Sequence, residues 1–311
     1  MNRLVIGSRG SALALWQANW VKDALQERAP EVTTEILIIR TQGDRAVEIP
    51  FDQLPGKGFF VKEIEEALLN RNIDLAVHSM KDLPAELPRG LGLGAVTRRE
   101  DPRDALVTPG GIGLDELVQG ARVGTGSPRR AAQLLARRPD LRIEPVRGNV
   151  DTRVRKVMEG NLDAMVLAAA GLNRLGIKAP RVVLEPDVSV PAVGQGAVGI
   201  EVRSDDEVAL GAVRRLEHLE TAAAVAAERE FLAALGGGCQ VPIAALATAR
   251  GERLHIRGLV ARQDGTEVIR HEAEGAIGDP VAVGRDLADL CLADGARELL
   301  AEGDRPAPEG A

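Results

Sequence analysis

Arg3 to Ser8 carries a short apolar run, Leu4-Val5-Ile6, and reads as a strand. Ser11 then precedes a stretch where Leu13, Trp16, Trp20 and Leu25 recur at roughly helical spacing. A strand, a tight loop and a helix in that order open an α/β domain. Ile36 to Arg40 predicts a second strand, Val61 to Asn70 a second helix, and Asp74 to His78 a third strand. The order β, α, β, α, β predicts a parallel sheet. Phe51 to Phe60 contains Pro55-Gly56-Lys57-Gly58, which predicts a mobile loop carrying a lysine.

A second α/β set follows Asp101-Pro102-Arg103-Asp104. Its strands fall at Arg122 to Gly124, Leu141 to Val146 and Ala164 to Ala168, and its helices at Pro128 to Arg138 and Val150 to Glu159. Pro191 to Ala197 then leads into apolar Val198 to Val202, which is expected to return the chain to the first sheet and make a hinge. From Leu219 the texture changes to an alanine-rich helix. Alternating strands follow near Ile243 to Ala249, Leu254 to Val260 and Glu267 to Ala273, with Asp264-Gly265 as a hairpin turn and a covering helix from Val281 to Leu292. The fold class expected is two α/β domains of the type II solute-binding kind, with a cleft and hinge, plus a small α+β domain holding a three-stranded antiparallel sheet. The expected divisions are 1–98 with 197–216, then 99–196, then 217–302, with 303–311 as a frayed tail.

Composition narrows the function. The 311 residues are 45% hydrophobic and 27% charged, enough for two or three globular cores. No run approaches the roughly 18 apolar residues of a membrane span, and Met1 to Gly7 enters a strand pattern without a secretory hydrophobic region. A cytoplasmic protein without a membrane partner is expected. A net charge of −7, from 39 basic and 46 acidic residues, gives no global field for nucleic acid. The two cysteines lie far apart and no CxxC or His-rich spacing occurs, so neither a disulfide nor a metal is expected.

Arginines nevertheless crowd short segments at strand-to-helix junctions. Gly124-Thr125-Gly126-Ser127-Pro128-Arg129-Arg130 brings free backbone N–H groups, the Thr125 and Ser127 hydroxyls and two guanidiniums to a helix N-terminus, an arrangement that binds anions. It lacks the GxxxxGK[ST] spacing of a nucleotide loop, and it also fits a capped helix with Pro128 in the first position. Arg147-Gly148-Asn149 with Arg153, and Arg9 with Ser11, repeat the arrangement, although each arginine alone also fits an ordinary surface position. Arg137-Arg138 reads as a solvated helix end. Asp82 follows a strand end, beside Ser79 and Lys81, at the sheet edge where α/β ligands sit. A carboxylate there can hold a developing cation and move a proton, while an acid before the Leu83-Pro84 turn is the plain alternative. His78 is the rival base, or a structural residue at the end of an apolar strand. Cys239 sits in Gly236-Gly237-Gly238-Cys239-Gln240-Val241-Pro242, where glycines clear an approach to the sulfur; on the loop alone, a helix C-cap followed by a packed cysteine is the plainer reading. Cys291, inside an apolar helical segment, reads as core.

Arg9-Gly10-Ser11 with Leu15-Trp16-Gln17, His78 to Asp82, Val123 to Arg130, Arg147 to Val150, Pro191 to Ala197 and Gly237 to Pro242 together resemble the porphobilinogen deaminase family, the hydroxymethylbilane synthases. The resemblance runs in order from about residue 3 to residue 300. It implies a cytoplasmic, monomeric transferase that condenses four porphobilinogen molecules head to tail into the linear tetrapyrrole hydroxymethylbilane, releasing ammonia, in porphyrin and heme biosynthesis. It implies a dipyrromethane primer attached through a thioether to Cys239, with Asp82 as the catalytic carboxylate. It implies that Lys81, Asp82, Thr125, Ser127, Arg129 and Arg130 hold the primer. Arg9, Ser11, Arg147, Arg153, Lys57 and Gln195 then hold substrate or lengthening product, Lys57 from a lid and Gln195 from the hinge.

Gly126, Gly236, Gln53 and Asp151 depart from the family's pattern, and they touch one hydroxyl donor and the lid rather than the sulfur, the aspartate or the paired arginines. Two other classes of function fit parts of the chain. A two-lobed binding protein would close on a small polyanion without chemistry, since fold alone does not decide function. A cysteine acyl transferase would need Cys239 and His78 within hydrogen-bond reach of each other.

Overall fold

The computed structural model describes residues 2–41, 61–237 and 241–303. The chain begins with β1 (Asn2–Ser8), α1 (Ala12–Arg28), β2 (Val32–Ile38), α2 (Lys62–Leu69), β3 (Leu75–Ser79), β4 (Leu91–Val96) and β5 (Asp104–Val107). It continues with β6 (Arg122–Gly124), α3 (Pro128–Arg137), β7 (Arg142–Glu144), α4 (Val150–Met158), β8 (Ala164–Ala168), α5 (Ala169–Arg174) and β9 (Arg181–Leu184). Then come β10 (Val198–Arg203), α6 (Glu207–Val213), α7 (Leu219–Ala234), β11 (Ile243–Arg250), β12 (Arg253–Ala261), β13 (Val268–Ala276), α8 (Pro280–Ala293) and α9 (Ala296–Gly303). Two compact units emerge: Met1–Pro102 with Ala169–Ile177 and Gly194–Ala222, and Arg103–Ala168 with Lys178–Val193 and Ala223–Ala311.

The first unit holds a five-stranded sheet in the order β2-β1-β3-β10-β4. Strand β1 pairs in parallel with β2 and with β3, as the βαβ pattern predicts. The returning strand β10 runs antiparallel to both β3 and β4, so the sheet is mixed rather than wholly parallel. Its direction follows from its route: β10 arrives from a distant segment and not through a helical crossover, the connection that enforces parallel pairing. Ser11 caps α1 by accepting from the Ala14 N–H at 3.3 Å. The buried face of α1 carries Gln17, Ala18, Val21 and Leu25. Trp16 and Trp20, which the helical spacing grouped with Leu25, are instead 37% and 38% exposed. Leu4, Ile6, Leu75, Val77, Ile200 and Val202 fill the core between this face and the sheet.

The second unit repeats the plan in a sheet ordered β7-β6-β8-β5-β9. Here β6 runs parallel to β7 and β8, while β5 runs antiparallel to β8 and β9. Its other sheet is the antiparallel meander β11-β12-β13, the third expected sheet. One face of the meander packs Leu254 and Ile256 against Phe231 of α7 and Leu287 and Cys291 of α8. The other face sets Leu259 and Ala261 against Ala132 of α3 and Val190. The hairpin turn between β12 and β13 holds Gly265 at φ +75°, where a Cβ would lie 2.5 Å from the Ala136 nitrogen of α3. Only glycine fits that approach.

Candidate active site

In the first unit, parallel strands β1 and β3 end side by side, and their carboxyl ends release Arg9 to Ser11 and Ser79 to Asp82 at one sheet edge. Ser79 accepts from the Gln17 amide at 3.0 Å, which ties the end of β3 to α1. Met80 to Asp82 form a single 3-10 turn, anchored where the Met80 N–H donates to the Ala197 carbonyl at 3.0 Å. Lys81 reaches the Gln195 amide oxygen at 3.4 Å, and the Gln195 amide donates to the Pro102 carbonyl at 2.7 Å. Asp82 is half-buried, and among the described residues its carboxylate has neither a hydrogen bond nor an ion pair. Arg9 and Ser11 are half-buried at the same edge. The rival base is spoken for: His78 is 5% exposed and its Nε2 lies 3.0 Å from the Glu201 carboxylate. It is a structural residue, unfit to serve an outside nucleophile.

In the second unit, β6 delivers Thr125 to Ser127 and then α3. Thr125 is buried, and its hydroxyl accepts from the Ser127 N–H at 3.2 Å. Gly126 stands where a Cβ would lie 3.1 Å from the Val146 carbonyl oxygen, so the glycine that departs from the family pattern brings the two junctions close. Arg147 and Arg153 follow β7, half-buried, with the Arg153 Nε donating to the Gly148 carbonyl at 2.8 Å. Asn149 occupies the N-cap position of α4 but makes no side-chain capping bond.

Arg129 and Arg130 do not stand out into solvent as a loop reading suggests; they are 4% and 6% exposed. Both bind Asp104, the first residue of β5, which is fully buried. Burial pushes the Asp104 carboxyl up, but the charges and hydrogen bonds of Arg129 and Arg130 outweigh it and hold the acid far below the usual carboxylate range. Burial likewise lowers the pKa of the Arg129 guanidinium, against the pull of Asp104. The Arg129 Nε–H is buried and has no acceptor among the described residues. By contrast Arg137 pairs with Asp115 on the surface, as a solvated helix end should, whereas Arg138 departs from that reading and turns inward to Asp140 and the Leu114 and Leu117 carbonyls.

Cys239 and Lys57 lie outside the described residues, as do Gln53 and the tail from 304 onward. The approach to Cys239 is described: Gly236 takes φ +66° at the end of α7, and a Cβ on Gly237 would lie 2.4 Å from the Ile243 methyl. Cys291 is buried in the core and its thiol is pushed up to about 12, chiefly by burial and then by Asp294. Sequence reasoning passed over three side chains at these edges: Asp104, Gln17 and Arg174. The Arg174 guanidinium lies 5.6 Å from the Trp16 ring centroid and donates to the Gly196 carbonyl at 2.7 Å. The helical spacing groups Trp16 with the core, so the sequence carries no signal for this contact; the exposed ring becomes visible only in the fold.

A family model described as "Porphobilinogen deaminase, dipyromethane cofactor binding domain" matches residues 4–211, and one described as "Porphobilinogen deaminase, C-terminal domain" matches residues 222–293. The porphobilinogen deaminase of Trichlorobacter lovleyi is 53% identical over 299 residues, covering 96% of either chain. That of Geobacter metallireducens is 52% identical over 302 residues, covering 96% of this chain and 94% of the relative. Among solved structures, the probable amino-acid ABC transporter extracellular-binding protein ytmK of Bacillus subtilis is 11% identical, covers 70% of this chain and 90% of its own, and has a TM-score of 0.42. That likeness is too slight to bear on function.

Proposed function

The chain belongs to the porphobilinogen deaminase family, transferases with a dipyrromethane cofactor, and from that membership we propose that it joins four porphobilinogen molecules head to tail into hydroxymethylbilane. One ammonia leaves at each addition. The observation that carries the proposal is the Asp82 carboxylate, half-buried and unpaired among the described residues at the carboxyl edge of β3. Loss of ammonia from the aminomethyl arm of porphobilinogen leaves a cationic pyrrole. An acid without a competing partner is available to face that charge, and to take up the proton displaced when the next carbon–carbon bond forms.

The residues present suit a ligand rich in carboxylates, because the buried Nε–H of Arg129 lacks an acceptor among the described residues. Lys81, Asp82, Thr125, Ser127, Arg129 and Arg130 would hold the primer. When bound, the primer supplies the nucleophilic pyrrole carbon. Its attachment is proposed to be a thioether to Cys239. The chain has two cysteines, and the buried, poorly ionised Cys291 is unsuited to that bond. Arg9, Ser11, Arg147, Arg153, Lys57 and Gln195 would receive the acetate and propionate groups of incoming and growing rings. The domain divisions expected from the sequence, a monomeric state and a cytoplasmic location belong to the same proposal; no helix among the described residues is long and apolar enough to cross a membrane.

Incubating the purified chain with porphobilinogen tests the reading. Ammonia release and a linear tetrapyrrole product are expected, with the primer visible in the intact mass. Binding of porphobilinogen without ammonia release would overturn the assignment in favour of a closing binder.

A further inference from the structure

We propose that Asp104 is a positioning residue for the primer, a buried carboxylate that fixes the direction in which Arg129 presents its donors. The proposal rests on the reading that Arg129 and Arg130 hold the primer. Arg130 binds one carboxylate oxygen side-on, with Nε and Nη2 donating to Oδ1 at 3.0 and 2.7 Å and Nη1 donating to the Val166 carbonyl at 3.0 Å. Arg129 binds the other oxygen: its Nη1 donates to Oδ2 at 2.9 Å and to the Val190 carbonyl at 2.5 Å. The Ser189 hydroxyl donates to the same Oδ2 at 2.8 Å. Gln133 clasps Val190 on both sides, its amide donating to the carbonyl at 3.1 Å and accepting from the N–H at 2.7 Å.

This arrangement fixes one end of the Arg129 guanidinium and leaves the other end's Nε–H without an acceptor among the described residues, although buried. A buried donor of a charged group left unmet is costly, and the acceptor that removes the cost is an anionic oxygen. The backbone beneath Asp104 is held on both sides, paired with Ala168 of β8 and Leu184 of β9. A short stem on a pinned strand gives the carboxylate little freedom, so the arginines take their direction from it. An asparagine of the same shape would present an N–H to one of the two guanidiniums and lose the charge that both bind. The arginines would then have no single preferred orientation. Direct contact with the primer is left to the two arginines, and Asp104 acts through them.

The test follows primer assembly by mass rather than turnover. Full-length parent, Asp104→Asn, Ser189→Ala and Cys239→Ser chains are produced in cells that cannot make porphobilinogen, then incubated with porphobilinogen. Intact mass reports the gain of two porphobilinogen units less two ammonia, the balance for two broken C–N bonds, one new S–C bond and one new C–C bond. Circular dichroism and thermal midpoint report folding. Folded Asp104→Asn is expected to gain the primer at least about tenfold more slowly than the parent, the factor for one charge-assisted hydrogen bond. Ser189→Ala, which removes a single buried donor to Oδ2, is expected to stay folded with a thermal midpoint lowered by a few degrees and to be slowed by about two- to fivefold. Once loaded, Asp104→Asn is expected to show a lowered kcat per primer-bearing chain with an unaltered KM for porphobilinogen; counting primer-bearing chains by intact mass removes the fall in kcat that a smaller active fraction alone would give. Parental assembly rates in folded Asp104→Asn overturn the proposal. Where that variant does not fold, parental rates in Ser189→Ala overturn it. No mass gain by the parent, or an equal gain by Cys239→Ser, would instead remove the primer reading on which it rests.

Discussion

At the turn Val193 to Ala197, Gly194 and Gly196 adopt φ of +71° and +90°, and a Cβ on Gly196 would lie 2.4 Å from the Glu100 carbonyl oxygen. The left-handed backbone and the crowding act together to seat Gln195, whose carbonyl accepts from Arg99 Nε at 2.7 Å while its side chain bridges Lys81 and Pro102. Gly196→Ala is expected to cost about 2–4 kcal/mol, combining positive-φ strain with a backbone clash. Urea unfolding measures it, and a midpoint equal to the parent's would show that the turn opens freely. Asp82 makes the opposite prediction, because its carboxylate has no partner among the described residues to lose. Asp82→Ala should keep the parental thermal midpoint within a degree or two while ammonia release falls at least about a hundredfold, the lower range for a lost general acid–base group. Near-parental release would remove Asp82 from the chemistry.

At the scale of elements, α2, β3 and β10 enclose a buried acid whose titration is displaced. Glu65 of α2 is 8% exposed, and its pKa is raised to about 7 by burial first and by the charge of Glu201 on β10 second, against the opposing charge of His78 on β3. The folded chain therefore holds this proton more tightly than the unfolded chain. The stabilisation is complete below about pH 4.5, the ordinary glutamate range, and is lost as pH rises through about 7. Glu65→Gln should match the parent near pH 4.5 and exceed it by about 3 kcal/mol at pH 8. Thermal melts across that range decide it, and parallel curves for the two chains would contradict the displaced titration. The same elements show what sequence makes legible. Helices α1 and α3 and strands β1, β3, β11, β12 and β13 announce themselves through caps, turns and periodicity. Strands β4, β5 and β9 escape that reading for physical reasons. Leu91–Val96 is broken by two glycines, while Asp104–Val107 and Arg181–Leu184 are four residues each and lack the following glycine loop and helix start that mark the equally short Arg122–Gly124. Missing β5 meant missing Asp104, so Arg129 and Arg130 were legible as anion ligands but not as buried members of a network.

At the scale of the whole chain, the second unit carries two sheets whose packing is continuous. Leu259 and Ala261 of β12 and Ala244 of β11 share one buried cluster with Ala132 of α3 and with Val190. The Val190 carbonyl accepts from Arg129 and Gln133, and the adjacent Pro191 carbonyl accepts from the Ala245 N–H at 3.2 Å. The meander and the arginine network are thereby joined through one residue, with its side chain in the cluster and its carbonyl in the network. Leu259→Ala, at a fully buried position, is expected to cost about 3 kcal/mol through lost burial and a residual cavity. The loss should not stay in the meander. Hydrogen exchange is expected to quicken in β11 to β13 and in β5, β6 and β8 together, with primer assembly slowed in the same variant as Val190 loosens its hold on Arg129. Faster exchange confined to β11, β12 and β13, with the β5 to β8 amides as protected as in the parent, would mean that the small sheet merely rests on its neighbour and that the anchor of Arg129 is built from the α/β sheet alone.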